Sequence, residues 1–287
     1  MQAQIIALAG RVEKGIVMEK AIRKYFPIFA LPTLLAFTIG FIVPFIYGIF
    51  LSFCKFTTVT DWTWVGLQNY TKIFVVNGTL DTSFLHSMWY TALFTVVSVC
   101  IINVVSFIIA MALTKGIRGT NIFRTVFFLP NLIGGIVPSY VWLMIFNAIL
   151  QNFSKTIVSS QWSAFWGLII VVCWQQIGYM MIIYVAGIQN IPGELIEAAK
   201  IDGASSWQLL RHVTLPMLMP TITICTFLTL TNGFKLFDQN LALTGGNPGK
   251  LSQLLALNIY DTMYGTTGWQ GVGQAKAVIF FILVAVI

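Results

Sequence analysis

Long apolar runs, separated by short polar stretches, set the pattern of this chain. About 20 consecutive apolar residues cross the hydrocarbon core of a bilayer. Runs of that kind occupy 26–53, 88–114, 122–149, 163–188 and 217–236, and a further run begins near 275 and stops at Ile287. At 1.5 Å per residue the last run covers about 20 Å of a roughly 30 Å core, so it is expected to be a span truncated at the C-terminus. Pro32, Pro44, Pro130 and Pro138 fall inside the runs, where neighbouring helices make a kink tolerable. The pattern predicts an all-α membrane protein with six transmembrane helices. Its parts are a leader (1–25), a first helix (26–53), a polar and aromatic segment (54–87) and a five-helix core (88–287). No internal repeat is visible, which counts against folds built from two inverted halves.

Composition supports the membrane reading. The 287 residues are 57% hydrophobic and 9% charged, against about 25% charged in a soluble domain. The net charge of +7 does not indicate nucleic acid, because the Lys and Arg are scattered among the spans. Ten of the sixteen fall in the leader, in loops 115–121 and 189–216, and at Arg124. That bias predicts a multi-pass protein of the cytoplasmic membrane with its N-terminus cytoplasmic. The first run is too long for a signal-peptide core of about 7–15 residues. Cys54, Cys100, Cys173 and Cys225 are far apart, and the two histidines, His86 and His212, are isolated. Neither set has metal-ligand spacing.

One polar island, Pro192 to Pro220, interrupts the apolar second half and holds Glu194, Glu197 and Asp202. Pro192 suits the first turn of a helix over 193–201, with the two glutamates near its positive end. Gly203 supplies a left-handed stop, and Ser205 caps a second short helix over 206–213. The result is a knob at the membrane surface with a face of small residues, Ala198 and Ala199, open to close approach. The plain alternative is a connector lying on the membrane.

In mid-membrane, Trp174, Gln175, Gln176 and Tyr179 form one polar cluster, and Thr229, Thr231 and Asn232 form another. Such groups line a wet pathway or bond helix to helix. An ion-coupled carrier keeps a buried carboxylate, yet 88–149, 163–193 and 217–237 contain no Asp or Glu. No G-x-x-x-x-G-K-[ST] phosphate loop occurs, so any ATP must be hydrolysed elsewhere. The charged cluster of 194–212 has one histidine and no second ligand set, which argues against an enzyme.

The island closely resembles the EAA loop of ABC-importer permeases: Glu197-Ala198-Ala199, three residues, Gly203, nine residues, Val213, one residue, Leu215-Pro216. Residues 64–71 (WVGLQNYT) and 237–249 (FDQNLALTGGNPG) are similar to segments of the binding-protein-dependent sugar permeases, with Asn247 departing from the pattern. The resemblance covers most of 27–287 and points to a MalF/UgpA-like type I permease. It implies a five-helix type I core and a coupling loop, 190–216, in which Glu197, Ala198, Ala199, Asp202, Gly203, Leu215 and Pro216 meet an ATPase. It also implies a second permease subunit with its own EAA loop, two copies of a cytoplasmic ATPase that binds ATP and Mg, and an extracellular solute-binding protein. This chain itself needs no cofactor. The family places substrate contacts on the fourth and fifth spans, which favours Trp174, Tyr179 and Asn232, with Gln175 and Thr229 as further candidates. A carbohydrate is the implied substrate; a glycerol-phosphate relative suits the same branch.

Overall fold

A computed structural model of the chain describes residues 25–287 apart from Asn77 and Ile117. The basic leader lies outside the described residues. The first helix, α1 (Tyr25–Leu51), is apolar all round and only 6% buried over its most apolar stretch. A wide π turn at Thr38–Ile42 interrupts it. Its end is fastened to the rest of the chain by a hairpin, β1 (Cys54–Thr58) and β2 (Asp61–Trp64), and a short helix, α2 (Gln68–Phe74). Residues 75–80 form a minimal second hairpin, β3 (Val75–Val76) and β4 (Thr79–Leu80).

Gly66, Asn69 and Tyr70 of the 64–71 segment each have a structural role here. Gly66 takes φ +60° between strand and helix, a region glycine enters without a Cβ clash. Asn69 is buried, and its amide nitrogen donates to Ser52 O and Cys54 O, both at 2.8 Å. The Tyr70 hydroxyl meets Ser52 Oγ at 2.8 Å. Burial raises the pKa of the Cys54 thiol above its ordinary value.

Three helices form the core: α3 (Ser83–Leu113), α6 (Gln161–Gln189) and α8 (Ser206–Phe234). The buried positions of α3 recur every three or four residues, Ser87, Thr91, Phe94, Thr95, Ser98, Ile102, Ser106 and Ala110 among them. Val96, Val104 and Ile108 lie exposed on its other face. The inward stripe is thus smaller and more polar than the outward one, as expected where lipid is as apolar as any side chain and association depends on close packing. Glycines mark the closest approaches. A Cβ at Gly187 would lie 2.5 Å from Thr221 Oγ1, and one at Gly233 would lie 2.8 Å from Thr95 Cγ2.

The expected span over 122–149 is sharply bent. Helix α4 (Thr120–Phe128) passes through a tight turn at Leu129–Leu132, then turns by 99° into α5 (Ile136–Gln151). Pro130 limits continuation, and Gly134 and Gly135 occupy the corner. The run 217–236 also differs, because its helix begins at Ser206 and is continuous with the expected short second helix. The segment 238–274 folds as α9 (Asp238–Leu243) and α10 (Leu255–Tyr264) before α11 (Gln270–Val286). Asn240 organises its first part, donating to Ser252 O and accepting from Leu254 N at 2.8 and 2.9 Å. The Asn247–Pro248 peptide bond is cis. Among the described residues, four helices are long and apolar enough to span and the bent pair makes a fifth. The seventeen-residue α11 completes the expected six.

Candidate coupling segment and translocation face

Helix α6 ends at Asn190, and Pro192 starts a separate short helix, α7 (Gly193–Ile201). Glu194 sits in its first turn and Lys200 in its last, each matching the sign of the helix end beside it. Gly203, at φ +77°, ends the helix. Its N–H bonds Lys200 O at 3.1 Å while Ala204 N–H bonds Ala199 O at 2.9 Å. These two bonds are the pair that closes a Schellman motif. Ser205 and Gln208 then exchange side-chain and backbone bonds of 3.3 and 2.8 Å, a capping box that starts α8.

Pro216 has no N–H to give. The turn before it widens, and Leu215 N–H reaches back five residues to Leu210 O. The helix therefore runs through the proline instead of stopping there. No residue of α7 is buried. Leu195 and Trp207 are exposed, and Ile201 is 85% exposed. Burying such a side chain is worth about 1.5–3 kcal/mol, and a cluster of them rimmed by charge marks an interaction surface. Glu197, Ala198, Asp202 and Gly203 share this exposed knob, Ala199 is half-buried, and Leu215 and Pro216 form its root on α8.

The expected pathway residues divide into two groups. Trp174, 38% exposed, meets Trp142 of α5 edge-on at 5.6 Å. Both line an apolar cavity of about 290 Å³ with Ile133, Val137 and Val141. Tyr179 is half-buried, 6.5 Å from the Phe128 ring, and Asn232 is exposed. The other two lie inside the bundle. Gln175 is buried, donating to Ile133 O at 3.3 Å and accepting from Gln239 Nε2 at 2.8 Å, so it ties α6 to the 99° corner and to α9. Thr229 is buried and accepts from Asn103 Nδ2 at 2.9 Å.

Asn103 was not singled out by the sequence, yet it joins the three core helices. Its Oδ1 accepts from the Tyr184 hydroxyl at 2.8 Å while its nitrogen serves Thr229. The only signal was one amide in an apolar run. We expect Asn103→Leu to lower the thermal stability of the purified protein by about 1–2 kcal/mol, the upper range for polar contacts between membrane helices. Tyr184→Phe should cost less, because it removes one bond and leaves Asn103 tied to Thr229. Equal melting temperatures for Asn103→Leu and the wild type would show that the network adds nothing.

Comparison with known proteins agrees with this geometry. Residues 102–287 match the family described as "Binding-protein-dependent transport system inner membrane component". The chain is 44% identical over 268 residues to the "Probable starch degradation products transport system permease protein AmyD" of Thermoanaerobacterium thermosulfurigenes, covering 91% of this chain and 90% of that one. It is 32% identical over 281 residues to the "Multiple sugar-binding transport system permease protein MsmF" of Streptococcus mutans, covering 94% and 95%. A subunit of a bacterial ABC transporter "involved in the import of the acidic polysaccharide alginate" has the same fold, with TM-score 0.76 at 20% identity over 94% and 95% of the two chains. The chain is a multi-pass membrane protein and not itself an enzyme; it belongs to the family of binding-protein-dependent transport system inner membrane components, as an ABC importer permease of the MalF/UgpA-like sugar-transport type.

Proposed function

We propose that this chain is one of two membrane subunits of an ATP-driven importer for an oligosaccharide or related sugar, and that residues 190–216 receive the motion of the ATPase. The carrying observation is the α7 knob, with a largely exposed small-residue face, a glycine-closed end and three solvent-facing apolar side chains. Such a surface is stable in water only at a cost that a docked partner removes. The remaining partners are a second permease with a similar loop, two copies of an ATPase that bind ATP and Mg, and an extracellular solute-binding protein. A related fold crystallised with an "alginate pentasaccharide-bound periplasmic protein" supports the last of these. The sugar class follows from relatives named for starch degradation products and multiple sugars.

Helix length and the basic leader support a cytoplasmic position for the knob. At 1.5 Å per residue the 29 residues of α6 extend about 44 Å, so its two ends lie on opposite sides of the membrane. With the basic leader inside, the knob is cytoplasmic and the Gln161 end is outside. Sugar passes beside Trp174, Tyr179 and Asn232, while Gln175 and Thr229 hold the helices that present them. Trp174 offers an aromatic face for ring C–H groups, and Asn232 offers an amide for hydroxyls.

In the reconstituted importer, Trp174→Ala and Asn232→Ala should each lower uptake about tenfold, equivalent to about 1.4 kcal/mol, with basal ATP hydrolysis unchanged. Labelled-sugar uptake by proteoliposomes measures this. Wild-type uptake in both variants would remove these residues from the route.

A further inference from the structure

The end of the bundle opposite the α7 knob carries a polar recess that the route beside Trp174 does not use. It is a cavity of about 250 Å³ walled by Asp81, Lys250, Gln253, Asp261, Trp269 and Lys276. These residues come from four places: the stretch before α3, the connection after α9, α10 and the start of α11. Trp269 also walls a second cavity of about 310 Å³, lined as well by Lys72, Val75, Val76, Gly268 and Val272.

The groups in the first cavity are held in place with bonding capacity left over. Lys276 is 4% exposed, and its Nζ donates to Asn258 Oδ1 at 2.9 Å and Thr262 Oγ1 at 2.8 Å. An ammonium has three protons to give, and beyond these two bonds the Nζ stands over the Phe84 ring, 5.5 Å from its centre. Both bonded partners are neutral, so no directly bonded carboxylate matches the buried charge. Gln253 is buried between Asn258, whose amide it accepts at 2.9 Å, and Asp261, to which it donates at 2.5 Å. Asp81 Oδ1 accepts from Ser83 N–H at 2.8 Å, leaving its second oxygen.

Fixed acceptors, fixed donors and an indole face in one cavity are the chemistry that recognises a sugar ring. Hydroxyls bond carboxylates and ammonium groups while the C–H face lies against the aromatic ring. Two aspartates and two lysines balance in charge across the first cavity, which disfavours a free metal cation or a polyanion and suits a neutral polyol. The shared Trp269 wall lets consecutive rings of one chain occupy both cavities, one just below and one at the lower end of the usual size range for ligand pockets.

We infer that this double recess is a saccharide-binding site at the outer end of the permease, taking a neutral oligosaccharide before it enters the route through the core. The inference rests on the sugar-import reading above.

The test uses the assembled importer in nanodiscs without its binding protein, titrated with maltotriose and a panel of neutral di- and trisaccharides while tryptophan fluorescence is followed. Uptake by proteoliposomes is measured in parallel. A saturable fluorescence change is expected in the wild type and is expected to vanish in Trp269→Leu, which keeps an apolar side chain against Val272. Lys250→Gln, at an exposed position, should raise the half-saturating sugar concentration about three- to tenfold, the size of one lost contact. Both variants should keep basal ATP hydrolysis. An unchanged signal in Trp269→Leu, or no signal from a wild type that imports the same sugar, overturns the site but leaves sugar import standing. A wild type that imports no saccharide of the panel overturns both. A signal produced by the binding protein alone, with or without sugar, overturns the saccharide assignment in favour of a protein contact.

Discussion

Gly203→Asp is expected to abolish sugar-stimulated ATP hydrolysis and uptake by the assembled importer while the chain still inserts at its normal level. The position has φ +77°, and a Cβ placed there meets nothing within 4 Å. Within this chain the substitution therefore costs only the left-handed backbone strain, about 1–2 kcal/mol and less for aspartate than for most residues. Loss of function would then arise outside the chain, where on the proposed reading the ATPase approaches the small-residue face of Ala198 and Ala199. An added carboxylate buried there without a partner is strongly unfavourable. Gly203→Ala carries somewhat more backbone strain but adds only one small uncharged group, so it should retain part of the activity. The measurement is ATP hydrolysis and uptake in proteoliposomes, with co-purification of the ATPase subunit. Full stimulation in Gly203→Asp would mean that nothing docks closely at this turn.

A second large effect is expected at Gly178, this time on stability. A Cβ at that position would stand 1.8 Å from Phe127 O, 2.3 Å from Phe127 C and 2.8 Å from Phe128 N. All three atoms are backbone, so no side-chain rotation relieves the clash. Helix α4 has to withdraw from α6, which also disturbs the Tyr179–Phe128 contact and the Ser106 Oγ–Ile177 O bond of 2.9 Å beside it. We expect Gly178→Ala to destabilise the purified protein by about 3 kcal/mol, the upper end of the usual overpacking range. Gly40→Ala and Gly134→Ala meet nothing within 4 Å and should be neutral or slightly stabilising. Similar melting temperatures for all three variants would contradict the close packing of α4 on α6.

The sequence carries the spans because lipid forces long apolar runs, and it carries the α7 turn because Pro192 and Gly203 are specific chemical signals. It conceals the 99° corner. Pro130, Gly134 and Gly135 were visible, but averaged hydropathy joins the two arms into one run. It conceals the start of α8 as well. A proline normally ends the reading of a helix, whereas here one widened turn accommodates Pro216. The hairpin after α1 and helices α9 and α10 lie outside the apolar runs, where periodicity gives little guidance. The division of pathway residues was unreadable for a different reason. Thr229 and Asn232 are three residues apart, and only the position of Asn103, 126 residues before Thr229, decides which of the two faces inward.

The continuous run of α8 from Ser206 to Phe234 gives it the shape of a seesaw. One close approach to a neighbour inside the bundle is where Thr221 lies against Gly187, about 22 Å from one tip and about 20 Å from the other at 1.5 Å per residue. A tilt about that point would move the two tips by nearly equal distances in opposite directions, so on the proposed reading a pull on the capped tip would carry Asn232 the other way without amplification.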